Sequence, residues 1–145
     1  MMYTQQTDYK TVIRDRFYHQ AVDGNHLELI DEIFSPDCKF YASGEQEAVG
    51  RDAFKDYLSL FREALNFRHS VDDQIAEGDK VTTRWTVRGK HTKSLLGYEG
   101  RGNEVLYSGI SIFEFNGSGQ VVEVWSAFDQ LGLHKQLGAA EPTPF

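Results

Sequence analysis

At Asn66 the hydrophobic period of the chain changes, and that change narrows the possible folds more than any other feature. Over residues 50–65, Phe54, Tyr57, Leu58, Phe61 and Leu65 recur at helical spacing, opposite Arg51, Lys55 and Arg62, which predicts an amphipathic helix. Beyond it Phe67, His69, Val71, Asp73 and Ile75 alternate with Arg68, Ser70, Asp72 and Gln74, the period of a strand with one buried face. A turn at Ala76-Glu77-Gly78-Asp79 leads to a second alternating run through Val81, Thr83, Trp85 and Val87. Two further strands, over 105–115 and 121–128, flank the turn Asn116-Gly117-Ser118-Gly119.

Ahead of the switch, Tyr9, Val12, Ile13, Phe17 and Ala21 predict a helix over 7–22, stopped by Asp23-Gly24. Asn25, with Glu28 in capping-box spacing, predicts a short helix ended by Ser35-Pro36, and Cys38, Phe40 and Ala42 predict a strand. Residues 131–137 predict a short final helix closed by Gly138. Helices segregated from serial hairpin strands indicate an α+β fold on a curved antiparallel sheet. The last two strands are apolar on both faces, so the outer face predicts a homodimer through the sheet.

The 145 residues suit one domain, 1–145, with 139–145 as a proline-containing tail. A net charge of −7 argues against nucleic acid or an anionic membrane as partner. A lone cysteine, Cys38, and five scattered histidines predict no metal and no redox cofactor. No secretory leader and no membrane-spanning run are visible, so a soluble, cytoplasmic protein is expected.

Three ionisable residues continue the apolar phase of a strand: His69, His91 and Asp129, the last in phase with Val121, Trp125 and Ala127. A carboxylate beside tryptophan and away from bulk water is the kind of group that exchanges protons near neutrality. Each also has a structural role open to it: His69 as a core histidine, His91 in a solvated loop, Asp129 as the cap of the last helix. Trp85, Trp125, Tyr57, Phe61, Phe40 and Phe17 are the expected apolar wall.

The segments IAEGDKVTTRWTVRGKHT, GISIFEFNGSGQVVEVW and DQLGLHKQLG together resemble the SnoaL-like polyketide cyclase (ester cyclase) family, of the nuclear-transport-factor-2-like, ketosteroid-isomerase-like superfamily. The resemblance runs from the first helix to Gly138. It implies a cone-shaped barrel in which a curved antiparallel sheet wraps N-terminal helices around a deep apolar pocket, commonly in a dimer. It implies a cofactor-free aldol-type cyclisation, with Asp129 as the catalytic acid/base and His69 and His91 as supporting catalytic groups. The chain departs from the family at Lys93, where many relatives carry glycine, and at Asn66-Phe67, in place of Pro-Asp.

Three functions follow as expectations. The first is a cofactor-free cyclase or isomerase acting on an apolar, carbonyl-rich small molecule. The second is a non-catalytic protein holding an apolar or aromatic small-molecule ligand in the same pocket, with Asp129 structural. The third, ranked last, is an epoxide-hydrolase-like hydrolase, which needs Asp73 or Arg84 to converge on Asp129.

Overall fold

A computed structural model of the chain describes residues 5–43 and 45–139. Six strands form one sheet in the order β2-β1-β6-β5-β4-β3. They are β1 (Phe34–Ala42), β2 (Glu45–Val49), β3 (Arg68–Glu77), β4 (Lys80–Lys90), β5 (Glu104–Phe115) and β6 (Val121–Phe128). The first helix, α1 (Gln5–Thr11), continues as a run of wide, π-type turns (Val12–Asp23). A 3₁₀ turn (Leu27–Leu29) and the one-turn helix α2 (Ile30–Ile33) follow, then α3 (Arg51–Leu65) and, at the end, α4 (Gln130–Leu137).

The strands β3, β4, β5 and β6 pair antiparallel as expected, but β1 lies parallel to β6, with Tyr41 opposite Trp125. The sheet is therefore mixed rather than purely antiparallel. β2, absent from the sequence expectation, is a short edge strand of mostly exposed residues that carries no apolar alternation to announce it. Asn25 does not cap a helix. It adopts φ 59°, and the 3₁₀ turn begins after His26 with no side-chain cap. Ser35 and Pro36 lie inside β1, whose pairing with β6 is irregular between Phe34 and Lys39. Of the expected tail 139–145, all but Ala139 lies outside the described residues.

Register breaks also fall at Phe40/Tyr41, Val71/Asp73 and Glu114/Phe115. Each local bulge bends and twists its strand, and the sheet curls around the helices packed on its concave face. The interior is aromatic: Phe17 meets Phe34 and Phe113 at 5.2 and 5.4 Å, Phe40 meets Phe54 at 5.0 Å, and Tyr9 stacks on Phe115 at 3.8 Å.

The α3 helix closes over this interior and is tied at both ends. Its start is held by Arg51, which donates to the Asp31 carbonyl (2.7 Å), and by the Lys55–Asp31 ion pair (2.7 Å). Near its end, Arg62 donates to the Val22 carbonyl at 2.9 Å, adding to the longer Asn25 N–H bond (3.4 Å) to the same oxygen where the wide-turn helix stops.

The bulge at Glu114/Phe115 decides which side chains of β6 face inward. Phe115 pairs with Val121 and Glu114 with Glu123, so Val122 is an extra residue on β6. After it the buried phase moves from odd to even positions. Val124, Ser126 and Phe128 point to the interior, and Trp125, 45% exposed, points out. Trp125 stacks on Tyr41 at 4.1 Å and sits beside Ile112. With Thr82 and Ile75 this makes an apolar row across the outer face.

Candidate active site

The concave side of the sheet, the wide-turn helix and α3 line a half-open cavity of about 80 Å³. Its wall includes Phe17, Phe40, Tyr57, Phe61 and Trp85, five of the six residues assigned to it from the sequence. Leu58 and Phe128 add apolar surface, and Tyr18, Tyr107, His69, Ser111 and Ser126 bring the polar atoms.

His69 stands near the start of β3, where Phe67 and Trp85 flank its ring at 4.8 and 5.8 Å. Its partner comes from the end of the wide-turn helix. Asp23 Oδ1 lies 2.7 Å from His69 Nδ1, and Asp23 Oδ2 accepts the His69 backbone N–H at 2.7 Å. Both side chains are withdrawn from water, with 7% of Asp23 and 9% of His69 accessible. Because a carboxylate only accepts, this contact places the proton on Nδ1 and leaves the lone pair on Nε2. Nε2 has no hydrogen bond among the described residues, so the cavity receives a histidine of defined tautomer and orientation.

Tyr18 packs against the same histidine, ring centroids 5.0 Å apart. Burial drives its phenol far above the ordinary tyrosine range, outweighing the Ser111 hydroxyl beside it, which acts in the opposite direction. Tyr18 is thus a hydrogen-bond donor at any physiological pH. Burial does the same to Tyr57, with the Glu47 charge adding to it, and to Tyr107. Trp85 Nε1–H donates to Ser111 Oγ at 2.9 Å, and Ser111 shares a 2.7 Å hydrogen bond with Ser126 Oγ. His69, Tyr107, Ser111 and Ser126 thus reach the cavity from the sheet, whereas the Tyr18 hydroxyl comes from the wide-turn helix and that of Tyr57 from α3.

Asp23 escapes a reading of the sequence because its neighbour Gly24 makes it look like a helix stop. The wide turns explain both Asp23 and Tyr18. Hydrogen bonding of the i→i+5 type brings residues five apart toward one face, and Ile13, Tyr18 and Asp23 are all buried. A 3.6-residue period does not put them together. Ser111 and Ser126 have no signal beyond their place in otherwise apolar strands.

Asp129 and His91 are not in this wall. The phase shift in β6 leaves Asp129 exposed on the outer side, where it caps α4: Oδ1 accepts the Gly132 N–H at 2.9 Å. A Cβ at position 132 would collide with the Asp129 carboxylate, so the D-x-x-G spacing of the C-terminal motif serves the cap. His91 follows β4 and is fully buried. Its backbone N–H donates to the Asn103 carbonyl at 2.9 Å, while neither ring nitrogen has a hydrogen-bond partner among the described residues. Arg84 shares a shallow outer groove with Asp129, Ser108 and Ile110, and Asp73 pairs with Arg84 across the strands. The groups required for the hydrolase reading thus meet outside the cavity. Among the described residues no three His, Cys, Asp or Glu side chains form a metal-binding group, and no helix is long and apolar enough to cross a membrane.

A half-open cone of curved sheet around helices, with an aromatic cavity between them, is the nuclear-transport-factor-2-like architecture. Within that architecture the SnoaL-like polyketide cyclase family model matches residues 12–137, and the chain belongs to that family. Among solved structures, a proposed SnoaL-like polyketide cyclase from Jannaschia sp. CCS1 is similar with a TM-score of 0.82 at 16% identity, covering 97% of this chain and 99% of that one. AclR, a proposed hydroxylase from Streptomyces galilaeus, gives 0.81 at 21% identity over 96% and 90%. IdmH, a proposed polyketide cyclase from Streptomyces antibioticus, gives 0.74 at 21% identity over 94% and 100%. At these identities the likeness is one of fold. No curated protein matches the chain significantly in sequence.

Proposed function

We propose that the protein catalyses proton transfer on an apolar carbonyl compound, as a cyclase or isomerase, with His69 as the general base. The observation that carries this reading is His69 in the wall of an aromatic cavity, with the Asp23 carboxylate 2.7 Å from its Nδ1. Nε2 takes a proton from the carbon next to a carbonyl. The electron pair of that C–H bond moves onto the carbonyl oxygen, where the Tyr18 phenol and the Ser111–Ser126 hydroxyls are the available donors. Asp23 favours the imidazolium so formed. The proton then returns to a different carbon, giving an isomer. In a cyclisation the enolate carbon instead bonds to a second carbonyl of the same molecule, whose oxygen takes the proton from Nε2. The aromatic wall orients the substrate and keeps out water. His91 would act only indirectly, by packing the end of β4, and Asp129 would act through the stability of α4.

The test is incorporation of solvent deuterium beside the carbonyl of 2-tetralone, followed by NMR. Exchange above the buffer rate that His69→Gln abolishes supports the reading; exchange equal in wild type and variant sinks it. The second reading, a non-catalytic ligand-binding protein, draws on Asp129 being a cap. It predicts binding without exchange.

The same proposal includes a homodimer, supported by the outer-face row of half-buried Tyr41 with exposed Trp125, Ile112 and Ile75. A cytoplasmic setting fits the single free thiol of Cys38.

A further inference from the structure

We infer that the cavity takes a small, neutral carbonyl compound of one or two fused rings, and excludes both ionised ligands and extended polycyclic ones. This rests on the reading of the cavity as the reacting site, and names what enters it.

Size is the first argument. A cavity of about 80 Å³ is smaller than the roughly 150 Å³ space that holds one benzene, and far below the 300 Å³ or more of sites for larger ligands. Interiors are close-packed, so extra room must come from side chains that can move. The half-buried members of the wall are few; Tyr57, Leu58 and Phe128 are among them. Their rotation makes room for one or two rings. A third or fourth ring finds no further space between α3 and the sheet, and must either protrude through the open side without apolar contacts or lift α3. That helix is pinned by Arg51 and Lys55 at one end and by Arg62 at the other.

Charge is the second argument. Among the described residues no lysine or arginine lines the cavity. Arg62, which reaches the Asp23 backbone, is spent on the Val22 carbonyl. An anionic ligand would meet no counter-ion, and the Asp23 carboxylate would repel it from behind His69. A cationic ligand gains little, because both Asp23 oxygens are engaged by His69. The hydroxyls of Tyr18, Ser111 and Ser126 suit a neutral oxygen.

The experiment measures binding by quenching of tryptophan fluorescence and by calorimetry. The probes are acetophenone, 2-tetralone, anthrone and tetracene-5,12-quinone for size, with benzoate and benzylammonium as charged counterparts of acetophenone. The expected order is saturable binding of the one- and two-ring ketones, with anthrone, the quinone and both ions at least tenfold weaker. Leu58→Ala, which enlarges the wall, is expected to narrow the gap between anthrone and 2-tetralone. Tighter binding of anthrone than of 2-tetralone, or of either ion than of acetophenone, overturns the inference. The proton-transfer reading fails separately: the expected binding order without deuterium exchange supports this inference and removes catalysis, whereas exchange in a protein that prefers anthrone overturns this inference alone.

Discussion

A histidine whose Nδ1 is held 2.7 Å from a buried carboxylate has one tautomer and one lone pair to offer. His69→Gln removes that lone pair while keeping a similar volume, so exchange into 2-tetralone is expected to fall by about 10²–10⁴-fold, the usual contribution of a positioned base. Asp23→Asn is expected to lower the rate while leaving 2-tetralone affinity in place. Nitrogen chemical shifts of His69 should then report a mixture of tautomers; unchanged shifts and rate would reduce Asp23 to a packing role. Asp129 belongs to a different class of effect. Its capping bond to Gly132 is exposed, so Asp129→Ala is expected to cost about 1 kcal/mol of stability with exchange per folded molecule unchanged. Denaturant unfolding and the exchange assay on one sample separate these outcomes, and lost exchange in a fully folded Asp129→Ala protein would return the catalytic role to that residue.

At the scale of elements, α3 is legible almost to the residue, because an apolar stripe opposite a charged face fits a helix lying on an apolar interior and little else. The structure starts it at Arg51 and ends it at Leu65, with Asn66 left-handed at φ 43°. β3 and β4 are legible because alternation survives in strands that cover an apolar interior, and β5 and β6 because the turn Asn116-Gly117-Ser118-Gly119 separates two apolar runs. β2 is not, having no buried face of its own beyond Ala48. The inward phase of β6 is hidden from the sequence because a single extra residue, Val122, reverses every side chain that follows it. Gly109 tests the packing of that region. A Cβ there would lie 2.6 Å from both the Ala127 carbonyl oxygen and the Trp85 ring, and 2.8 Å from Phe128 Cβ. Gly109→Ala is expected to destabilise the protein by about 1–3 kcal/mol, in the range of overpacking a close contact. A melting temperature equal to wild type would mean that β5 and β6 can separate without cost.

For the molecule as a whole, the buried phenols of Tyr18, Tyr57 and Tyr107 set an alkaline limit. Burial raises all three in the folded chain, whereas an unfolded tyrosine titrates near 10. Below pH 10 both states hold the phenolic protons and the stabilisation is complete. Above it the unfolded chain loses them first, so stability falls as pH rises. Unfolding midpoints measured between pH 8 and 12 should drop above about pH 10, and three of the seven tyrosines should gain phenolate absorbance only as the chain unfolds; ionisation of all seven before any loss of fold would contradict the burial of these rings. The outer sheet face predicts a sedimentation mass of two chains at micromolar concentration, and substitution of Ile112 by Glu should shift it toward one. A wild-type mass of one chain would end the dimer proposal.

Period and pattern by themselves determined the α+β class, the antiparallel run of β3 to β6, the α3 helix and the aromatic lining of the cavity. These depend on which residues avoid water, and that preference is written locally, residue by residue. Tertiary structure decided the acid–base pair. Asp23 and His69 are 46 residues apart, and they meet because wide helical turns rotate Asp23 inward while β3 carries His69 to the same depth. It also decided that Asp129 lies outside, because the register of one strand depends on its neighbours. Side-chain direction after a bulge, and contact across long sequence separation, are properties of paired elements, so no single segment contains them.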